Sequence, residues 1–499
     1  MTNIDIVHQL IHSMSRTEKA YFKKYARKQQ REKDDFYFKL FDAIDKQVVY
    51  DSNRLIKKFK SQKLTVKQLS ISKHYLYNLI VSNLLEYNQN KSIQAQLHQQ
   101  IETIQLLHKR SLSSQALKTL YKAQKLAQKH EFFLYILLLK NLEEEILRIQ
   151  MSPDLTQYLN QGFKEEQRIN QQWLNLRHYR YLATKFTFWN KQQYSSRTED
   201  SDLITENFLE EVKQVAPPLS IKAKFLHLHC LLDYYTQKSN FHKAREVLQQ
   251  QVVLFEENPA FLEQRSLTYI TILNNLGVNQ RLTNDLESML DTAAKLKAFK
   301  CKTIHEEIQI FESWAQTMLI YITYSKPAPQ HLSELILIEE QFKILENKIG
   351  NEFKIIIPYG LACCYFWRKR YQQALDWLEL VQNRCTKQLM PDLKIAARLI
   401  KLIIHYELDH QYYLLNANES TYRYLSYNQR LYKVEATLLK TLRQLAALAS
   451  PQQASSIFKA FKEKLLLLQE DPFEMGALQL FDFIQWADQK INRPITSTI

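Results

Sequence analysis

Residues 355–382, IIIPYGLACCYFWRKRYQQALDWLELVQ, place the strongest constraint on how this chain folds. Apolar, aromatic and small residues recur there at helical spacing in two segments, separated by the polar residues 368–370. The recurring positions are Leu361, Ala362 and Tyr365 in the first segment and Tyr371, Ala374, Leu378 and Val381 in the second. We therefore predict two helices that fold back on each other. A helix pair of this size does not bury its apolar face alone, so it requires neighbouring helices.

Glycine and proline are scarce along the whole chain, which contains 5 Gly and 11 Pro in 499 residues. A chain with so few of these residues lacks the means to build many tight turns, β-hairpins or glycine-rich phosphate loops. The remaining sequence is rich in good helix formers, and its hydrophobic content of 45% is sufficient for an extended core. We therefore predict an all-α protein without a sheet.

The spacing within residues 355–382 resembles that of the tetratricopeptide repeat. The resemblance covers residues 97–450. It implies a right-handed superhelical array of antiparallel helix hairpins, a tetratricopeptide-like α-solenoid, preceded by a helical N-terminal cap. Ala116, Ala244 and Ala374 occupy the equivalent small position and lie 128 and 130 residues apart. These intervals correspond either to four repeats of about 34 residues or to three longer units.

Two further stretches resemble a family of uncharacterised bacterial helical-repeat proteins: SRTEKAYFKKYA near the start, and IIHYELDHQYYLLNANESTYRYLSYNQRLYKVE near the end. That family has no assigned activity, so the resemblance implies a helical-repeat fold and no particular chemistry. We predict four regions: a basic helical N-terminal region at 1–96, helical repeats at 97–450, a C-terminal helical cap at 451–490 and a frayed tail at 491–499.

Two capping boxes mark helix starts in the N-terminal region. In this motif a Ser or Thr at the helix start is followed three residues later by Glu or Gln, and each side chain bonds the backbone N–H of the other residue. Ser15 with Glu18 forms one candidate, and Thr65 with Gln68 forms the other. Both predict that a helix begins at the residue after the Ser or Thr.

The N-terminal region is also basic. Residues 1–100 contain 18 Lys and Arg against 9 Asp and Glu, within a chain of net formal charge +15. Such a surface suits an acidic partner, or it is a solvated set of Lys-rich helices. Residues 64–79 match a helix-turn-helix poorly, because the turn glycine is missing and the space between Leu69 and Ser72 is short. We expect weak, non-specific binding to nucleic acid at most.

The sequence lacks the motifs of the common catalytic and cofactor sites. Its isolated glycines form no dinucleotide- or phosphate-binding loop, and neither Gly-x-Ser-x-Gly nor His-Glu-x-x-His is present. The five cysteines contain no Cys-x-x-Cys pair, and we interpret them as reduced thiols. We predict a non-enzymatic protein without cofactor or metal. The strongly apolar run at 132–139 is shorter than the ~20 residues of a membrane span, and no signal peptide is visible, so we expect a cytoplasmic protein.

Tetratricopeptide-like arrays bind partners in a groove lined by the first helix of each pair. By resemblance, the groove positions are Ile356, Tyr359, Cys363, Phe366 and Trp367 in one unit, Leu226, His229, Asp233, Thr236 and Gln237 in a second, and Gln105, His108 and Lys109 in a third. The selected candidates are Tyr359, Phe366, Trp367, His229, Asp233 and Gln237. These candidates predict a groove wall that is polar at residues 229–237 and aromatic at residues 359–367. The alternative for the aromatic residues is that the C-terminal helices cover them.

The sequence thus favours a scaffold protein that binds a protein or peptide partner in a helical-repeat groove. A second hypothesis is a nucleic-acid-associated regulator, in which the basic N-terminal region contacts nucleic acid and the repeats act as a sensor. The two hypotheses differ in salt dependence, because binding to phosphates weakens steeply as the salt concentration rises.

Overall fold

The computed structural model describes residues 5–29, 32–62, 64–88, 92–149, 155–193, 200–325, 329–386, 389–448 and 453–491, so the predicted frayed tail lies outside it beyond Ile491. These residues form helices and no β-strand, which confirms the all-α prediction. The helices are α1 Ile6–Ser13, α2 Arg16–Gln29, α3 Glu32–Asp45, α4 Ser52–Lys58, α5 Val66–Asn88, α6 Ile93–Lys109, α7 Ser113–Lys129, α8 Phe133–Ile149, α9 Leu155–Gln193, α10 Asp200–Gln214, α11 Ile221–Gln237, α12 Phe241–Glu256, α13 Pro259–Gln264, α14 Ser266–Leu282, α15 Leu286–Ala298, α16 Ile304–Tyr324, α17 Pro329–Leu345, α18 Phe353–Trp367, α19 Tyr371–Arg384, α20 Pro391–Glu407, α21 Gln411–Tyr427, α22 Lys433–Ala446, α23 Ala454–Leu468, α24 Pro472–Leu480 and α25 Phe483–Ile491. No described helix combines the length and apolar character that crossing a membrane requires.

Both predicted capping boxes are confirmed. The Glu18 N–H donates to the Ser15 hydroxyl at 3.2 Å, and the Glu18 carboxylate accepts from the Ser15 N–H at 2.8 Å. Thr65 and Gln68 make the same reciprocal pair, at 3.3 and 2.9 Å. These bonds satisfy N–H groups that a helix leaves without intrahelical partners at its first turn. They therefore fix where α2 and α5 begin.

Seven helices in the described part of the chain end in the same turn. A residue at φ between 50° and 60° follows the helix, and the two bonds of a Schellman motif close the turn around it. At α18, for example, the Lys369 N–H donates to the Phe366 carbonyl and the Arg370 N–H to the Tyr365 carbonyl. The left-handed residues are Ser111, Glu131, Ser239, Asn284, Lys369, Asp409 and Gln429. The next helix begins two residues later in six of these turns and four residues later after Gln429, and it packs on the helix that has just ended.

The chain forms two compact units, Met1–Asn170 and Gln171–Ile499. In the first unit, α1 to α5 enclose a hydrophobic cluster of their own, which includes Ile11, Phe22 and Leu76. The predicted N-terminal region at 1–96 lies within this unit. In its second half, α6, α7 and α8 pack on one another in sequence.

A continuous hydrophobic core runs through the second unit, from Phe225 in α11 to Ala487 in α25. Helices α14, α16 and α18 pack side by side, while α15 packs on α14 and α19 packs on α18. Helices α11, α14, α16, α18, α20 and α22 begin at intervals of 38 to 49 residues. Ala244 in α12 and Ala374 in α19 are fully buried and are three helix pairs apart. Of the two repeat lengths that the sequence left open, the structure therefore favours the longer one.

Two glycines allow the close approach of α14, α16 and α18. A Cβ atom at Gly277 would lie 2.8 Å from the Thr317 Oγ1, and one at Gly360 would lie 3.0 Å from both Cβ and Cδ1 of Leu319. Real Cβ atoms do not fit at such distances without movement of the neighbour. Helix α16 is therefore held between two helices that each lack a side chain at the contact.

Pro358 lies inside α18, where it removes one intrahelical hydrogen bond because it has no N–H. The carbonyl that loses its partner belongs to Lys354, four residues earlier. This carbonyl accepts instead from the guanidinium of Arg384, at the end of α19, at 2.9 Å. The proline thus exchanges a bond within one helix for a bond between two helices of the same pair.

We predict that Lys369→Gly stabilises the protein. A left-handed conformation costs about 1–2 kcal/mol for a residue with a Cβ, and part of this gain is offset by the greater freedom of glycine in the unfolded chain. The midpoint of urea unfolding, followed by circular dichroism, should correspond to a net gain of about 0.5–1 kcal/mol. The control is Glu379→Gly at an exposed position inside α19, which should destabilise by about 1 kcal/mol. A loss of stability in both variants would contradict the turn assignment.

We also predict that Gly360→Ala destabilises the protein by about 1–3 kcal/mol, the usual cost of overpacking a tight contact. The contact is made by Leu319 Cβ, which moves only with its backbone. Thermal unfolding measures the effect. Gly476→Ala at an exposed position in α24 is the matched control and should be neutral or stabilising. Equal melting temperatures for Gly360→Ala and the unchanged protein would exclude the close contact.

Candidate functional site

The aromatic groove positions of α18 lie beneath the C-terminal segment, defined here as residues 472–491, which contains α24 and α25. The Phe481 ring stacks on Trp367 with centroids 5.4 Å apart and meets Phe366 edge-on at 5.1 Å. The Tyr359 hydroxyl donates to the Leu480 carbonyl at 2.9 Å. Tyr359 is 8% exposed and Phe366 is 3% exposed, while Trp367 is partly buried.

Tyr359, Phe366 and Trp367 therefore do not line an open groove in this structure. Their environment matches the alternative expectation, in which the C-terminal helices cover them. Aromatic side chains at helical spacing indicate that a face is apolar, but they carry no information about which segment buries it. The remaining candidates, His229, Asp233 and Gln237, belong to another helix pair and have a different environment.

The C-terminal segment continues along α20, where a buried carboxylate fixes it. Glu407 accepts from the Trp486 Nε1–H at 2.8 Å and from the Tyr371 hydroxyl at 3.1 Å, and the Lys490 ammonium lies 2.6 Å from it. The Glu407 and Lys490 side chains are 4% and 11% exposed. A buried ion pair is stable only when further hydrogen bonds satisfy its charged atoms, and the Trp and Tyr donors supply these bonds.

Sequence reasoning missed Glu407 as a groove position, although the register of the helix ends identifies it. Glu407 lies two residues before the left-handed Asp409, just as Trp367 lies two residues before the left-handed Lys369. The signal is the recurring turn itself. It was not visible in the sequence because these left-handed positions do not carry glycine.

The same register adds Arg281 to the site, because it precedes the left-handed Asn284 by three residues, as Phe366 precedes Lys369. The Arg281 guanidinium carbon lies 4.8 Å from the centroid of the Tyr324 ring in α16. Burial raises the pKa of Tyr324 to about 12; the positive charge of Arg281 opposes this shift, and the negative charge of Asp482 adds to it. Arg281 and Tyr324 are each partly buried. Arg281 and Tyr324 therefore place polar groups close enough to interact with Asp482, which lies between α24 and α25.

The three candidates on α11 are polar; Gln237 is exposed, whereas His229 and Asp233 are partly buried. The His229 Nε2 lies 3.8 Å from an Asp233 carboxylate oxygen one turn later, and Gln237 is exposed at the next turn. Burial raises the pKa of Asp233, and the nearby His229 opposes the shift. Since the folded state raises this pKa, the contribution of Asp233 to stability declines as the pH rises from its unfolded to its folded pKa. An ionised Asp233 is thus incompletely compensated.

Three cysteine thiols lie on α11 and α18, close in sequence to these positions. Burial raises the pKa of the Cys230 thiol to about 12 and that of the Cys364 thiol to about 11, and it also raises the pKa of Cys363. These thiols are therefore protonated at neutral pH, and a protonated thiol is a poor nucleophile. Among the described residues, no group of three or more His, Cys, Asp and Glu side chains is arranged to hold a metal ion.

The third set of groove positions belongs to the first unit. In α6, Gln105 and Lys109 are exposed, and the His108 Nε2 lies 4.0 Å from a Glu145 carboxylate oxygen of α8. These side chains make no aromatic surface. They form a separate polar patch that belongs to the packing of α6 and α8.

We predict that Glu407→Gln destabilises the C-terminal segment, because the change leaves the buried Lys490 ammonium without its counter-charge. The expected cost is about 3–5 kcal/mol, seen as a lower urea midpoint and as faster proteolytic cleavage within residues 472–491. The double variant Glu407→Gln/Lys490→Met removes both charges and should recover most of the loss. The control Glu379→Gln, on the exposed surface of α19, should change neither quantity. A single variant as stable as the unchanged protein would show that Glu407 does not anchor the segment.

Comparisons with known proteins add nothing to this geometry. No protein-family model, no curated protein and no solved structure matches this chain.

Proposed function

We propose that this protein is a non-enzymatic interaction protein, and that it binds a protein or peptide segment along the groove positions of α11 and α14. Its second unit is then a right-handed tetratricopeptide-like solenoid. Three features support this proposal: the recurring Schellman turns, helix pairs of similar length along the unit, and the side-by-side packing of α14, α16 and α18.

The observation that carries the proposal is that positions in this register of the second unit hold another segment of the same chain, namely the C-terminal segment. Tyr359 binds it through a backbone carbonyl, Trp367 through an aromatic ring and Glu407 through an ammonium and an indole N–H. These are the contact types by which helical grooves bind partner segments. These contacts support the proposal that positions in this register can hold a peptide.

Gln237 lies two residues before the left-handed Ser239, which is the position that Trp367 has before Lys369. Gln237 is exposed, so no segment among the described residues covers it. The desolvated Asp233 carboxylate gains most from a positive charge nearby, because such a charge offsets the cost of burial that raises its pKa. A partner segment that places a Lys or Arg opposite Asp233 is therefore the best match. Arg281 on α14 would pair with an acidic group of the same segment.

The proposal predicts that peptides selected from a random displayed library on the purified protein bind at α11. Gln237→Arg places a bulky cation at an exposed groove position and repels a basic partner residue near Asp233. We expect it to weaken the selected peptides about tenfold or more, which corresponds to about 1.4 kcal/mol or more. Isothermal titration calorimetry measures the dissociation constants.

The matched control is Gln373→Arg, at an exposed position of α19, which has the same chemical change on the second helix of a pair. Its affinity for the peptides should equal that of the unchanged protein. Selection of no peptide, or equal weakening by both variants, would refute binding at the groove positions of α11.

A further inference from the structure

A basic surface on α4 and the start of α5 is not used by the proposed groove. Its cations are Arg54, Lys57, Lys58, Lys60 and Lys67, all of them exposed. None pairs with a carboxylate within the described residues; the closest acid in sequence, Asp51, caps α4 by accepting from the Arg54 N–H. Lys73 is not part of this surface because it pairs with Asp5.

The cations are held on a rigid base. Arg54, Lys57 and Lys58 are spaced by three and four residues, so they share one face of α4, while Leu55 and Phe59 are buried on the opposite side in the cluster of α1 to α5. Helices α4 and α5 pack on each other and on α3. Uncompensated positive charges on a fixed surface fit a polyanion of regular geometry.

Helix α5 presents a second feature beside these cations. Residues 66–88 form one continuous helix, so the helix-turn-helix considered for residues 64–79, with a turn between Leu69 and Ser72, is wrong. The first half of α5 instead exposes one stripe at helical spacing, composed of Lys67, Ser70, Ile71, His74 and Asn78. This stripe combines hydrogen-bonding groups with an apolar side chain that is 61% exposed.

We propose that this surface binds duplex DNA, with α5 in the major groove and the α4 cations on the adjacent phosphates. The width of the B-form major groove, about 12 Å, accepts a helix with side chains of about 10–12 Å. Polar side chains such as His74 and Asn78 meet base edges there, and Ile71 meets thymine methyl groups. A-form RNA has a deep and narrow major groove that does not admit this helix.

The first test measures binding of a fluorescent 20-base-pair duplex (a length chosen to span about two helical turns) by anisotropy between 50 and 200 mM salt, a range in which phosphate contacts dominate the change in affinity. The logarithm of the association constant falls by about 0.9 per phosphate contact for each logarithmic unit of salt. We therefore expect Lys57→Gln/Lys58→Gln to reduce this slope by about 2. The control Lys459→Gln/Lys464→Gln removes the same charge from exposed positions of α23 and should leave the slope unchanged.

The second test separates groove entry from general charge attraction. Ile71→Glu and Leu85→Glu introduce the same charge at exposed positions of α5, which are 61% and 69% exposed in the native protein. Ile71→Glu should weaken binding about tenfold or more, since it places a carboxylate at the bases, whereas Leu85→Glu should change it less than twofold. Circular dichroism checks that both variants fold.

Each of several results would overturn the proposal. These are no duplex binding at 50 mM salt, equal effects of the two lysine pairs, equal effects of Ile71→Glu and Leu85→Glu, or tighter binding to duplex RNA. Sedimentation with phosphatidylserine vesicles that is lost in Lys57→Gln/Lys58→Gln, together with absent DNA binding, would assign the surface to anionic lipid instead. The groove proposal is unaffected by any of these outcomes, because its peptide test uses residues of the second unit alone.

Discussion

The end of the second unit depends on the packing of the C-terminal segment against α18 and α20. Phe481, Phe483 and Trp486 are 1–2% exposed, and each buried side chain of this size contributes about 1.5–3 kcal/mol. Such a contribution is large beside the total stability of a folded protein, about 5–15 kcal/mol. The segment is therefore part of the fold. An apolar helix face has to be covered, and α24 and α25 cover the one formed by α18 and α20.

The polar groove positions of α11 obey the opposite constraint. The exposed Gln237 loses little when it stays in water, so folding supplies no reason to cover this part of α11. Burying it would instead require a partner for each polar group. The same register on successive helix pairs thus serves stability where the side chains are aromatic and remains open where they are polar. This difference is the reason why we propose α11 as the place for a partner.

The helix pairs could be predicted from the sequence because their signals are local. Helical spacing and the capping boxes depend only on residues a few positions apart, and Ala374 is buried as a small residue at a helix contact should be. The cover over Tyr359 and the glycine contact at Gly360 depend on residues far away in the chain, which no local pattern identifies. The recurring turn could not be predicted from the sequence, because Lys369 and Asp409 occupy left-handed positions where a helix end usually has glycine.

The two proposed surfaces rest on different hydrophobic clusters. The cations of α4 stand on Leu55 and Phe59 in the cluster of α1 to α5, whereas α11 is anchored by Phe225 and Leu228 in the core of the second unit. Each surface therefore depends on the packing within its own cluster.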